Sequence, residues 1–351
     1  MLSQLNETLA PLREELTAHY AAFDGAAEAA VRARMDAEPA LPALAMKARL
    51  HEVMAEEAMP VAFHGTPFAF ECGLRSPKSW GMESAGTWLR DTRYGLFVED
   101  ADAAARLKEH FDAGLGHYYH YVDFDHYNIG YDTVLERGLL GLIADAEVAQ
   151  PADDDAYAFL DAVVRGLRAV LRLVERFADS YEAVNPAWAA ALHRVPANPP
   201  ATFFEALLTL SAVREIFASF EGVGISILGC LDRHLAPYYD ADIAVGRLTE
   251  AEAAELIGRY LLLTDCRFDV RHFAWAETST TMTLGGCDDD GRPFYHPLTR
   301  IILRAHRDLG LLNPKPQCRI SASADETYLR QLAEIIASGD NVLTLFNDEV
   351  L

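Results

Sequence analysis

The densest group of side chains able to do chemistry lies over residues 116–126, where His117, His120, Asp123, Asp125 and His126 fall within one short run. Imidazole and carboxylate together can hold a divalent metal, and two histidines three residues apart share a helix face. That would be the basis of a metal-dependent enzyme. The same run carries three tyrosines and a phenylalanine, the composition of a packed aromatic loop, and no HExxH zinc signature occurs. No metal site is expected, and His126 alone is kept as a pocket residue.

Glycines and cysteines narrow the chemistry further. Residues 222–229 (GVGISILG) hold a GxG without the third glycine or the ribose-binding acid of a dinucleotide site. Walker A and GxSxG motifs are absent. Cys230 follows Gly229, and Cys287 follows Gly285 and Gly286, but a cysteine in such a place is more often inert packing than a nucleophile. All five cysteines (Cys72, Cys230, Cys266, Cys287, Cys318) are far apart, with no CxxC pair, which reads as reduced intracellular thiols.

These residues need elements to position them. Leu2, Leu5, Leu9, Leu12 and Leu16 repeat at helical spacing, and residues 36–58 continue helically with breaks at Pro39 and Pro42. Further helices are expected over 101–120, 156–184, from Thr202 onward with Glu205 at capping-box spacing, 250–263, 297–309 and 326–339. Strands are expected at 68–72, 224–228, 280–284, 318–322 and 342–346. Strands alternating with helices argue for βαβ units and a parallel sheet or half-barrel. Ligands then sit at the C-terminal strand ends, which selects Ser226, Thr283, Arg319, Ser321, Asn347, Asp348 and Glu349. Arg319 and Ser321, two apart on one strand, share a face. Such an arginine would bind a substrate carboxylate or phosphate, or pair with a neighbouring acid.

Several stretches resemble, in order, the pyruvate formate-lyase-like family of glycyl radical enzymes. HYNIGYDTVLERGLLGL (126–142) is similar to the family's His loop and Tyr-x-x-Val-Leu helix, and PPATFFEALLTL (199–210) to its Pro-Ala-x-Thr-Phe helix start. LDRHLAPYYDADIAVGRLTEAEAAELI (231–257) resembles its Leu-Asp-x-x-Leu-x-Pro-Tyr-Tyr segment, and TLGG (283–286), NPKP (313–316) and FNDEV (346–350) follow in the expected order. The resemblance implies an α/β fold: a helical segment over 1–60, then over 61–351 a five-stranded parallel half-barrel with its surrounding helices. This would be the first half of a ten-stranded barrel.

It also implies radical cleavage of a C–C or C–X bond in a small-molecule substrate under anaerobic conditions. The outcome would be formate acetyltransferase, diol dehydratase or other lyase chemistry, which the chain leaves open. A glycyl radical, installed by a radical-SAM activating enzyme, would generate a thiyl radical on a cysteine, and the complete enzyme would be a homodimer. Departures are specific. The family's thiyl cysteine lies just beyond Asn-Asp-Glu, and no cysteine here holds that position; the radical-glycine motif is missing too. Cys230 stands where the family has an arginine, and Gly130 where it has an acid. His126 matches its motif, and the substrate-pocket candidates are His126, Ser226, Arg319, Ser321, Asn347 and Asp348.

Length and charge fit this expectation. The 351 residues are about half of a complete member, so the chain is read as the N-terminal portion of such an enzyme, catalytically silent by itself. The alternative is a degenerate, non-radical binding or regulatory relative. With 30 Lys+Arg against 53 Asp+Glu, the formal charge of −23 disfavours nucleic acid and anionic membranes. No secretory signal or membrane span is read, which makes the cytoplasm the expected location.

Overall fold

In the computed structural model the described residues are 2–20, 26–71, 73–74, 106, 109–110, 112–114, 129–221, 227–266, 280–339 and 342–350. Helices α1 (Leu2–Tyr20), α2 (Ala26–Ala37) and α3 (Ala43–Glu57) come first. Leu9, Leu12 and Leu16 of α1 are buried, as their spacing predicts. The strands β1 (Pro60–Val61) and β2 (Phe70–Glu71) pair antiparallel with each other. Among the described residues, the aromatic stretch expected as a strand at 68–72 therefore pairs with β1 and not with the parallel sheet. Phe68 and Phe70 are buried in the helical core instead, so apolar content correctly marked burial but named the wrong partner.

A helical layer follows: α4 (Tyr131–Val148), α5 (Asp154–Tyr181), α6 (Pro186–Arg194), α7 (Phe203–Glu221), α8 (Leu231–Ala244) and α9 (Glu250–Cys266). Their starts are written in the sequence. Asp153 accepts from Ala156 N–H at 2.8 Å to open α5, and Asn185 accepts from Ala187 and Trp188 N–H ahead of Pro186. At α7, Thr202 Oγ1 accepts from Glu205 N–H, while the Glu205 carboxylate takes the Ala201 N–H and Arg194 rather than closing the box. Glu52 and Glu56 of α3 pair with Arg165 and Arg172 of α5; these half-exposed pairs set register more than stability.

The last third alternates: β3 (Thr281–Gly285), α10 (Pro297–Leu309), β4 (Lys315–Ile320), α11 (Glu326–Ala337) and β5 (Thr344–Asn347). Among the described residues these strands form a three-stranded parallel sheet, in the order β3-β4-β5. Leu284 faces Cys318, and Cys318 faces Leu345. β4 begins at Lys315, earlier than expected, and includes Pro316. Lys315 N–H donates to Thr280 on the β3 side, so the missing N–H of Pro316 falls on the β5 side, where pairing starts only at Gln317. Of the strand expected at 224–228, only 227–228 is described. There Leu228 N–H donates to Thr281 O, and Thr283 N–H donates to Gly229 O, along the other edge of β3. The fold is thus a mostly helical α/β assembly with a small parallel sheet. The helix expected at 101–120 falls largely outside the described residues.

One apolar core runs from Leu9 and Met54 through Phe177, Leu207 and Leu261 to Ile302 and Ile335. No helix among the described residues is long and apolar enough to cross a membrane.

Candidate functional site

The C-terminal ends of β3, β4 and β5 converge on the loop Gly285-Gly286-Cys287. Both glycines have left-handed backbones, φ 70° and 86°, which a β-carbon would strain. Space is closed as well: a Cβ on Gly286 would lie 2.8 Å from both Arg319 Cβ and Asp348 Oδ2. Glycine here lets β4 and β5 side chains reach across the end of β3.

Asp348 is the hub of that contact. Its side chain is 2% exposed, and Oδ1 accepts from Arg319 Nε at 2.7 Å. Oδ2 accepts from Cys287 N–H at 2.8 Å and from the Cys287 thiol at 3.1 Å. Burial pulls the carboxyl up, but Arg319 and the two Cys287 donors outweigh it and hold Asp348 below its ordinary value. The bond to Asp348 in turn pushes the Cys287 thiol up, with burial adding to it. Cys287 is therefore a hydrogen-bond donor, not a thiolate.

A second buried acid, Asp232 at the start of α8, fixes the loop from the other side. Its Oδ2 accepts from Gly285 N–H at 2.9 Å and from Thr299 Oγ1 at 2.6 Å. Complete burial raises its carboxyl despite these donors. The neighbouring Arg233 donates to the carbonyls of Gly285 and Cys287 at 3.1 and 3.0 Å and lies 4.4 Å over the Phe294 ring. Phe294 N–H closes on Gly286 O at 2.7 Å. Most polar backbone groups of the loop are thereby tied to named partners.

Of the sequence candidates, Arg319 and Asp348 are brought together, and Arg319 has the neighbouring-acid pairing that charge composition allowed. Its Nη1 and Nη2 make no hydrogen bond among the described residues. Asn347 and Ser321 are turned to local work. Asn347 Oδ1 accepts from Glu349 N–H, Glu349 accepts from Ala322 N–H, and Ser321 Oγ meets Ser323 Oγ at 3.1 Å. β4 ends at Ile320, so Ser321 is past the strand rather than on its face with Arg319. His126 and Ser226 lie outside the described residues, as do His117, His120, Asp123 and Asp125. Asp232, Arg233 and Phe294 were not singled out by sequence, because strand-end reasoning looks only at strands. The Leu-Asp-x-x-Leu stretch was the available signal.

Cys230 and Cys318 offer no reactive thiolate. Burial raises Cys230, and it pushes the fully buried Cys318 up to about 12. Among the described residues, Glu175, Asp179 and His193 bring ligand atoms within 4.8 Å of one another, but all three are exposed, the usual setting of a surface ion pair.

Comparison with known proteins agrees with this architecture. The chain superposes on a glycyl radical enzyme from Archaeoglobus fulgidus with TM-score 0.77 at 18% identity, covering 96% of this chain and 51% of that one. The B12-independent glycerol dehydratase of Clostridium butyricum gives 0.73 at 18% identity, with the same coverage. In sequence, the isethionate sulfite-lyase of Bilophila wadsworthia is 30% identical over 253 residues, 62% of this chain and 30% of that protein. The chain thus spans about half the length of these solved relatives. The pyruvate formate lyase-like family model matches residues 90–351, the region that holds β3 to β5, the Gly285–Cys287 loop and both buried acids. On that match across more than half of its length, the chain belongs to the pyruvate formate lyase-like family.

Proposed function

We propose that the chain supplies the first half of a glycyl radical enzyme barrel, one that breaks a C–C or C–X bond in a small, oxygen-rich substrate. The observation that carries this reading is the convergence of Gly286, Cys287, Arg319 and Asp348 at the C-terminal ends of three parallel strands. Asp348 holds Arg319 through Nε and leaves both Nη groups to face a ligand. The arginine would thus position an anionic or hydroxyl-bearing substrate, with His126, Ser226, Ser321 and Asn347 as further wall candidates. Relatives named as a sulfite-lyase, a glycerol dehydratase and a trans-4-hydroxy-L-proline dehydratase support a small polar substrate.

The radical machinery does not fit residues present here. None of the five cysteines occupies the position that the family resemblance assigns to the thiyl residue, and Cys318 is buried. No radical step is therefore routed through this chain. Its proposed part is to shape and charge one wall of a barrel completed by a second half, with an activating radical-SAM enzyme and dimerisation belonging to the complete protein. The test is electron paramagnetic resonance of the purified 351-residue chain after anaerobic incubation with a radical-SAM activase and S-adenosylmethionine. The expected spectrum has no glycyl radical doublet, and a doublet would overturn the assignment of a silent half.

A further inference from the structure

The Gly285–Cys287 loop is tied to the start of α10 by two separate sets of contacts. One is polar. His296 N–H donates to Thr299 Oγ1 at 3.3 Å, and that hydroxyl donates to Asp232 Oδ2 at 2.6 Å. The same carboxylate oxygen accepts from Gly285 N–H at 2.9 Å. The other set is aromatic. The His296 ring stacks on Phe294, with centroids 5.9 Å apart and 14° between the planes. Arg233 lies 4.4 Å over the Phe294 ring while it donates to the Gly285 and Cys287 carbonyls.

Both sets meet at His296. Its Nδ1 accepts from Leu298 N–H at 3.1 Å, which caps α10. The ring proton therefore sits on Nε2, which donates to Asp240 Oδ1 at 3.0 Å. Tyr239 stands edge-on to the same ring at 5.5 Å. The His296 side chain is 13% exposed and that of Asp240 65%, so this end of the contact chain lies at the surface. A surface pair of this kind adds little stability. Its consequence is orientation, because it fixes the ring against which Phe294 packs.

We infer that Arg233 is a positioning residue for the strand-end site, and that His296, held by Asp240 and stacked on Phe294, sets its pose from the surface. This deepens the proposed function, since it rests on the strand-end loop being the functional wall and assigns control of that wall. Without the Arg233 donors the Gly285 and Cys287 carbonyls are released, and Cys287 moves off the Asp348 oxygen that accepts its N–H and its thiol. Asp348 also holds Arg319, so the orientation of that guanidinium loosens with the loop.

The test is the rate of Cys287 alkylation by iodoacetamide in the folded 351-residue chain at pH 8, read by peptide mapping, with Tm measured alongside. Arg233→Met keeps the stem against Phe294 and removes the donors; Cys287 should react several-fold faster, and Arg233→Lys should recover part of the protection. His296→Asn retains a capping side chain and removes the stacked ring. It should also speed the reaction several-fold, with little change in Tm. The double variant should react no faster than Arg233→Met alone, because both substitutions act through one contact. Rates that multiply in the double variant, a His296→Asn rate equal to wild type, or no recovery in Arg233→Lys would each overturn the assignment. If Arg233→Met does not fold, Phe294→Leu takes its place, and the double variant with His296→Asn should again react no faster than Phe294→Leu alone. A glycyl radical doublet from this chain would overturn the proposed silent half and leave these rates untouched, so the two failures are distinguishable.

Discussion

Asp348 is the residue on which the strand-end loop turns, because one buried carboxylate satisfies a guanidinium, a backbone N–H and a thiol together. Breaking a buried pair from one side costs about 3–5 kcal/mol, but Arg319 keeps 31% exposure and can recover solvation. Asp348→Asn should therefore destabilise by about 2 kcal/mol in denaturant unfolding at pH 7. The sign with pH follows from the depressed carboxyl: the unfolded chain binds the proton more readily. The Asp348 contribution is full above the ordinary value of 3.8 and disappears as pH falls through the lower folded value. The gap between wild type and Asp348→Asn should close on acidification, and a gap that widens would contradict the assignment. The same substitution frees Cys287, which should alkylate several-fold faster in peptide mapping at pH 8. Arg319 and Asp348 were legible in the sequence because parallel strands expose their C-terminal ends. Cys287 looked like either a nucleophile or filler, since no spacing rule places Asp348, from a distant strand, against its sulfur.

Among elements, helices were the more legible. Their apolar period and their caps at Asp153, Asn185 and Asp325 are local properties, readable without knowing any neighbour. Strands are defined by their partners, and for that reason the run at 68–72 was placed in the wrong sheet while β3, β4 and β5 were found within a few residues. The Gly285-Gly286 pair connects the two levels: only this turn chemistry lets β3 end under Arg319 and Asp348. Gly286→Ala adds a left-handed alanine, costing about 1–2 kcal/mol, to contacts at 2.8 Å with Arg319 and Asp348. The sum should reach about 3 kcal/mol, seen as a lower Tm and faster proteolysis within the β3–β5 unit. A Gly286→Ala chain with unchanged Tm would mean that the loop relaxes freely and does not anchor the strand ends.

At the scale of the whole molecule, two opposing tendencies meet at β5. Among the described residues β5 pairs with β4 on one side and with no strand on the other. Leu345 is 44% exposed and Val350 81% exposed nearby. An unpaired, apolar parallel edge is a template for another strand. A formal charge of −23 opposes the approach of a second copy, and that repulsion is screened over about 10 Å at 0.1 M salt and about 3 Å at 1 M. Self-association of the 351-residue chain should therefore strengthen as salt rises, the reverse of an interface held by ion pairs. Leu345→Lys places a charge on the edge itself and should suppress association at every salt concentration while leaving the β4 ladder intact. Sedimentation velocity across a salt series checks both statements. Association that weakens with salt, or that survives Leu345→Lys unchanged, would assign the contact to a different face. If both expectations hold, the same edge is the surface to which the remaining strands of a barrel would add, since backbone pairing at β5 serves either partner.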